Sequence, residues 1–345
     1  MPRGSAWRAE EGQTAAELMG GLLLVSLIIG ALFASDVDAQ IRDQVHRAIC
    51  SIGAGTDCGP PSRGGGYADD PYPDSGRADR EVYVEECDGS VSDDPARAGD
   101  EDAVGNDQVD RAYENMGRVY DYYLDTFGWD SYDGEGSPMV GVVSDCGSGG
   151  SSSWSPDDER VEYAPGAGDA LDTSAHEFTH GVIQHTAGLE YQCQSGALNE
   201  AISDIMAWNL DPADSTYGED RNGGAIRDYG TPTRFDQPMH VDDYVASAND
   251  AFGDWGGVHT NSGIPNHAYY QLVVRVGRDK AEQIVWRALT RHLEPDSGFE
   301  DFREAMLDSA AELYGDGGPE EHGVDEAFAT VGLDGNWDAP DQEGC

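Results

Sequence analysis

His176-Glu177-Phe178-Thr179-His180 sets two imidazoles four residues apart, with a carboxylate beside the first. On a helix, residues at i and i+4 share a face. Both rings can then bind one Zn²⁺ at roughly 2.0–2.1 Å while Glu177 addresses a water activated by the ion. The pair alone also suits a polar surface helix. Hydrolytic zinc needs three protein ligands and an open fourth position, so the chemical reading requires one more side chain from elsewhere.

Downstream, Gly188 is expected to end the first helix, Gln192 to Gly196 reads as turn, and the chain from Ala197 has helical composition. Glu200 and Asp204 then lie four apart on one face of a second helix. Glu200 can ligate, while Asp204 accepts the remaining ring N–H of a ligand histidine and fixes its tautomer. Two helices would make the site.

Three segments, in order, carry a family resemblance. They are His176 to His180, Gly196-Ala197-Leu198-Asn199-Glu200-Ala201-Ile202-Ser203-Asp204, and Gly256-Gly257-Val258-His259-Thr260-Asn261-Ser262-Gly263-Ile264. With these the chain resembles the thermolysin-type (M4) metallopeptidases over about residues 80–335. The spacing from His180 to Glu200 fits this family better than the related zinc aminopeptidases. The resemblance implies zinc ligands His176, His180 and Glu200, with Asp204 and Asn199 behind the histidines. It implies Glu177 as general base, His259 and Tyr191 as oxyanion donors, and Asp254 as the group holding the His259 ring. Ala225-Ile226-Arg227 matches the segment whose arginine binds the substrate carbonyl on the leaving side; Ile226 would line an apolar P1′ pocket. The implied activity is zinc-dependent endopeptidase cleavage before bulky apolar residues, on peptide or protein substrates.

Some positions depart from the family. Ser151-Ser152-Ser153-Trp154 stands where the substrate-pairing edge strand carries an Asn-Ala-Phe-Trp-like run, leaving Trp154 as the aromatic substrate contact. Thr173 replaces a common apolar pocket residue, which leaves the P1′ preference open.

The implied fold is α+β and bilobal, a thermolysin-like metallopeptidase. It has a short β-rich N-terminal lobe (80–170) and a mainly α-helical C-terminal lobe (171–335), with the zinc cleft between them and a tail at 336–345. Local patterning agrees: Glu81-Val82-Tyr83-Val84 alternates as a strand, Val109 to Phe127 reads as an amphipathic helix, a β-rich stretch runs to about Val161, and the chain is helical from Asn266, including Val324 to Val331.

A net charge of −47 over 345 residues, with Lys280 the sole lysine, repels nucleic acid and anionic lipid. The acid excess fits a saline habitat or divalent-cation sites. Asp172, Asp211, Asp214, Glu219 and Asp220 offer the hard oxygens that Ca²⁺ takes. The resemblance places calcium ligands at Asp172, Asp211, Asp214 and Glu219, with Thr216 where a further glutamate stands; a solvated acidic loop is the alternative. Cofactors are thus expected to be Zn²⁺ and Ca²⁺.

Six cysteines without C-x-x-C spacing read as up to three disulfides, with Cys50–Cys58 the nearest local pair. Arg3 and Arg8 precede an apolar run from Leu18 to Phe33, which predicts an extracytoplasmic enzyme, anchored through that segment unless it is cleaved. Gly12-Gln13-Thr14-Ala15-Ala16-Glu17 resembles a type IV pilin-like (class III) processing site. The expected layout is an anchor with amphipathic extension at 1–52, a Gly/Pro/Asp-rich linker at 53–79, and a monomeric peptidase domain. A zinc aminopeptidase and a non-catalytic pilin-like surface protein are the competing readings. The second gives no reason to keep Glu177, His259 and Tyr191 together.

Overall fold

The computed structural model describes residues 79–345 apart from 100, 145, 147–150, 169, 220–223 and 341–343. The expected anchor, linker, pilin-like processing site and Cys50–Cys58 pair all lie outside the described residues.

The N-terminal half is built on one sheet. Strands β1 (Arg80–Glu85), β2 (Arg97–Ala98), β3 (Met139–Ser144), β4 (Ser153–Ser155) and β5 (Arg160–Tyr163) stand in the order β2-β1-β3-β5-β4. β1, β3 and β5 are parallel, with Val82 opposite Gly141 and Val142 opposite Glu162, while β2 and β4 run antiparallel at the edges. The parallel β1–β3 pair needs a long crossover, and helix α1 (Asp107–Phe127) supplies it. Asn106 caps α1 by accepting from the N–H groups of Gln108 and Val109, and Gly128, at φ 69°, closes it with N–H bonds to carbonyls one turn back. This helix was legible from its apolar stripe, and Val109, Ala112, Met116, Val119 and Tyr123 are all buried along it.

Beyond β5 the chain is mainly helical: α2 (Leu171–Gln184), α3 (Cys193–Leu210), α4 (Asp254–Asn261), α5 (Gly263–Val276), α6 (Arg278–Arg291), α7 (Phe299–Tyr314) and α8 (Pro319–Thr330). A two-strand ribbon, β6 (Thr216–Tyr217) with β7 (Arg227–Asp228), interrupts it. α3 is buried all round; every residue but Gln194 is inside. Such a helix shows no amphipathic period, and its boundary was therefore misplaced in the sequence reading. It starts at Cys193, four residues ahead of the expected Ala197, through the Gly196 N–H bond to Gln192 O at 2.8 Å. α2 stops at Gln184, and Gly188, at φ 64°, belongs to the following turn. The segment around His259 is a short helix with a left-handed first turn.

The two helices at the centre can approach their neighbours closely only because of two glycines. A Cβ at Gly181 would lie 2.8 Å from the Trp154 indole, and one at Gly196 would lie 2.5 Å from Val258 Cγ1 and 2.9 Å from the Tyr191 carbonyl carbon. Gly196 therefore sits inside a helix for packing, not as a breaker. Among the described residues, two disulfides join distant segments, Cys87–Cys146 and Cys193–Cys345. Among the described residues no helix is long and apolar enough to cross a membrane.

Gly196→Ala is expected to lower stability by about 1–3 kcal/mol through overpacking against Val258 and the Tyr191 backbone. Denaturant unfolding checks this, and an unchanged midpoint would show that the contact yields without cost.

Candidate active site

α2 places His176 and His180 on one face, and α3 brings Glu200 against them. The two Nε2 atoms lie 3.2 Å apart, Glu200 Oε2 is 3.4 Å from His176 Nε2, and Glu200 Oε1 is 3.6 Å from His180 Nε2. One ligand atom from each of the three side chains lies within 4.8 Å of the others. Glu200 is 1 % exposed and its Oε2 has no hydrogen-bond partner. A buried carboxylate oxygen left without a donor, facing two convergent imidazole nitrogens, fits a tetrahedral His–His–carboxylate zinc site.

The outer ring nitrogens are held from behind. His180 Nδ1 is 2.7 Å from Asn199 Oδ1 and 3.1 Å from Ser203 Oγ, while Asn199 Nδ2 donates to Leu189 O at 3.0 Å. His176 Nδ1 lies 2.9 Å from Asp204 Oδ1, and Asp204 Oδ2 accepts from Asn266 Nδ2 at 2.8 Å. Asn199 thus stands behind His180 and Asp204 behind His176. Ser203 and Asn266 were missed, although Asn266 lies two residues after the third motif and Ser203 three residues after Glu200.

Burial and mutual contact shift the protonation of these groups. Burial opposes protonation of His176, yet Asp204 and Glu200 outweigh it and push the pKa up to about 10. Burial pulls His180 down to about 4, leaving its ring neutral. Burial also works against ionised Glu200, but His259, His176 and His180 hold its carboxyl well below the usual range. Glu177, 5 % exposed beside them, is pushed up to about 7 by burial. A carboxylate poised near neutrality can both take and return a proton.

Tyr191 and His259 face Glu200 from the solvent side. Tyr191 Oη donates to Glu200 Oε1 and lies 3.3 Å from His259 Nε2. His259 Nδ1 is 2.6 Å from Asp254 Oδ1, and the His259 N–H donates to Asp254 Oδ2 at 3.0 Å. That double contact depends on backbone: Asp254, Trp255, Gly256 and Gly257 all have positive φ, at 56°, 50°, 89° and 81°. Glu200 foremost raises the His259 pKa, against burial.

Arg227, on β7, is 8 % exposed and does not stand free in a cleft. Its Nε is 3.3 Å from Asp204 Oδ2, its Nη2 is 3.8 Å from Glu200 Oε2, and its guanidinium lies over the Tyr217 ring. Ile226 beside it is exposed. Trp154 is turned onto α2, donating from Nε1 to Gln184 Oε1 at 2.8 Å, while its strand β4 forms the sheet edge.

The four acids assigned to calcium come near one another without closing into a ligand cage. Asp172 Oδ1 accepts from the Thr173 N–H at 2.6 Å and its Oδ2 from the Gly218 N–H. Thr216 Oγ1 spans Asp214 Oδ1 at 2.7 Å and Glu219 Oε2 at 3.3 Å. Burial, then Asp172, Asp214 and Asp211, push Glu219 up to about 7. Among the described residues, the histidine–glutamate trio is the one group of three or more such side chains within metal reach.

Family comparison agrees with this geometry. Residues 79–184 match the thermolysin metallopeptidase catalytic domain and residues 187–333 match the thermolysin metallopeptidase alpha-helical domain. Neutral protease NprE of Bacillus pumilus is 41 % identical over 231 residues, covering 64 % of this chain and 76 % of that protein. The chain belongs to the thermolysin metallopeptidase family. Bacillolysin of Bacillus amyloliquefaciens is likewise 41 % identical over 231 residues, 64 % of this chain, but the match spans only 44 % of that relative. An extracellular elastase of Staphylococcus epidermidis is 39 % identical over 267 residues, 72 % of this chain and 49 % of its own length. The precursor of protealysin, a metalloproteinase from Serratia proteamaculans, superposes with a TM-score of 0.67 at 26 % identity, covering 76 % of this chain and 89 % of that one. The thermolysin-like bilobal α+β fold expected from the motifs is therefore the fold of this family member.

Proposed function

We propose that this chain is a zinc endopeptidase that cleaves peptide and protein substrates. The observation that carries the reading is the buried Glu200 carboxylate, its Oε2 undonated, facing the Nε2 atoms of His176 and His180. Zinc held by these three residues would supply Lewis-acid polarisation of the scissile carbonyl and acidify a water for attack.

The chain's own groups do the rest. Glu177 takes the proton from the attacking water and delivers it to the leaving amine, as a carboxylate buried beside the ligand trio can. Tyr191 Oη and His259 Nε2 donate to the oxyanion as charge develops, the moment at which fixed donors accelerate most. With Nδ1 directed at Asp254, His259 needs a proton on Nε2 to donate, and Glu200 favours that protonated form. Arg227, its guanidinium fixed by Asp204 and Glu200, presents its remaining N–H groups to the carbonyl on the leaving side. Exposed Ile226 favours bulky apolar P1′ residues. Trp154 anchors β4 against α2, so that the edge strand's backbone can pair with extended substrate.

Calcium bound by Asp172, Asp211, Asp214 and Glu219 would offset the burial, and the lesser repulsion among these acids, that raise Glu219. We place the peptidase domain at 80–335, with 336–345 as a tail, 53–79 as linker and 1–52 as a pilin-like anchor that leaves a monomeric domain outside the cytoplasmic membrane. The extracellular naming of relatives supports that location.

Full-length protein is expected to cleave a blocked, internally quenched peptide with an apolar P1′ residue, and a zinc chelator should abolish the cleavage. Glu177→Ala should lose at least about 100-fold in turnover while keeping its melting temperature; equal cleavage by that variant would end the endopeptidase reading. Added Ca²⁺ should raise the melting temperature and a calcium-selective chelator lower it, whereas a melt indifferent to both removes the calcium proposal.

A further inference from the structure

Tyr191 stands in a bend outside any helix and His259 on the short helix α4 just after its left-handed first turn, unlike the metal-ligand trio on the longer helices α2 and α3. Tyr191 precedes α3 in a bend and is 41 % exposed; His259 follows the left-handed turn at 254–257. Regular secondary structure therefore does not by itself fix the distance between the two.

Both segments pack on Gly196, and one asparagine and one disulfide add a second link between them. Asn249 Nδ2 donates to Gln192 Oε1 at 2.7 Å and to Gly344 O at 2.8 Å. Gln192 adjoins Tyr191 on one side and Cys193 on the other, and Cys193 is bonded to Cys345, the neighbour of Gly344. The ring is closed: Asn249, Gln192, Cys193, Cys345, Gly344 and back to Asn249. From Asn249 the connection runs on to His259. Ala248 O accepts from the Gly256 N–H at 3.0 Å and Asp250 O from the Trp255 N–H at 2.8 Å, which sets the turn from which Asp254 grips His259.

We propose that Asn249 and the Cys193–Cys345 disulfide form a clamp that positions Tyr191 and His259 relative to each other, so that they govern turnover. The proposal rests on the endopeptidase reading for the role of the two donors. Its physical basis is that donors stabilise an oxyanion only when pre-placed, and misplacement by about 1 Å can cost on the order of 100-fold in rate. Asn249 and the cystine are positioning residues in this scheme; neither touches substrate.

A disulfide that closes a span of 152 residues also constrains the unfolded chain, so a lower melting temperature on its removal is expected under either role and discriminates nothing. The kcat-against-KM split and local amide exchange do discriminate. In the zinc-loaded full chain, Asn249→Ala and the pair Cys193→Ser/Cys345→Ser should each lower kcat about 10-fold or more with KM within about twofold. Combining them should add little to the disulfide variant, since both break one unit. Amide exchange at 190–192 and 248–259 should quicken in each variant well below its melting temperature. Cys87→Ser/Cys146→Ser, a remote control, should leave kcat and exchange at those segments unchanged. Asn249→Ala keeps the covalent bond and so reports even if the disulfide variant fails to fold. Wild-type kcat and exchange in Asn249→Ala, with only the melt affected in the cystine variant, would overturn the clamp. If wild type cleaves no peptide, the endopeptidase reading fails separately, and unchanged exchange at 190–192 and 248–259 would overturn the clamp on its own.

Discussion

Burying the charge of Glu200 is the constraint around which this molecule is arranged. An ionised carboxylate that is 1 % exposed is costly unless cations and donors surround it. His176 and His180 meet it from α2, Arg227 from β7, Tyr191 and His259 from the solvent side. Asp204, one turn further along α3, shares Arg227 and steadies His176. The close approach of α3 to its neighbours, which this arrangement needs, is possible because Gly196 has no side chain to meet Val258.

What the sequence discloses of this site follows helix geometry. His176 with His180, and Glu200 with Asp204, are pairs whose relation is settled by 3.6 residues per turn, and both pairs stand as spacing implied. Side chains that reach the site from remote segments carry no such period. Asn266 on Asp204, Tyr217 under Arg227 and Asn249 beside Gln192 are set by packing alone, and no local pattern marks them. Gly196 shows the same limit from the other side: glycine read as a turn residue because its backbone freedom is local, whereas its use here is a contact with Val258 more than sixty residues away. Arg227 and Trp154 were legible as residues of the site's surroundings, yet the first is engaged by Asp204 and the second by Gln184. Family resemblance, more than spacing, pointed to His259, Tyr191 and Asp254.

The site divides by rigidity. Its metal-facing groups stand on two buried helices, while of its outer donors Tyr191 stands on a bend and His259 on a short helix that opens with a strained turn, the two segments linked by side chains and a disulfide. Elements that grip an ion gain from permanence; donors that act on a passing substrate must be both open and placed, and open segments need bracing from outside. The acidic cluster near α2 follows neither pattern, since burial and then repulsion among its carboxylates raise Glu219.

Zinc K-edge absorption on the purified full chain tests the central claim most directly. The account predicts one zinc per chain with two imidazole nitrogens at about 2.0–2.1 Å, light oxygen ligands completing a four-coordinate shell, and no sulfur. Zinc bound through sulfur, an all-oxygen shell, or a folded chain that retains no zinc would contradict it.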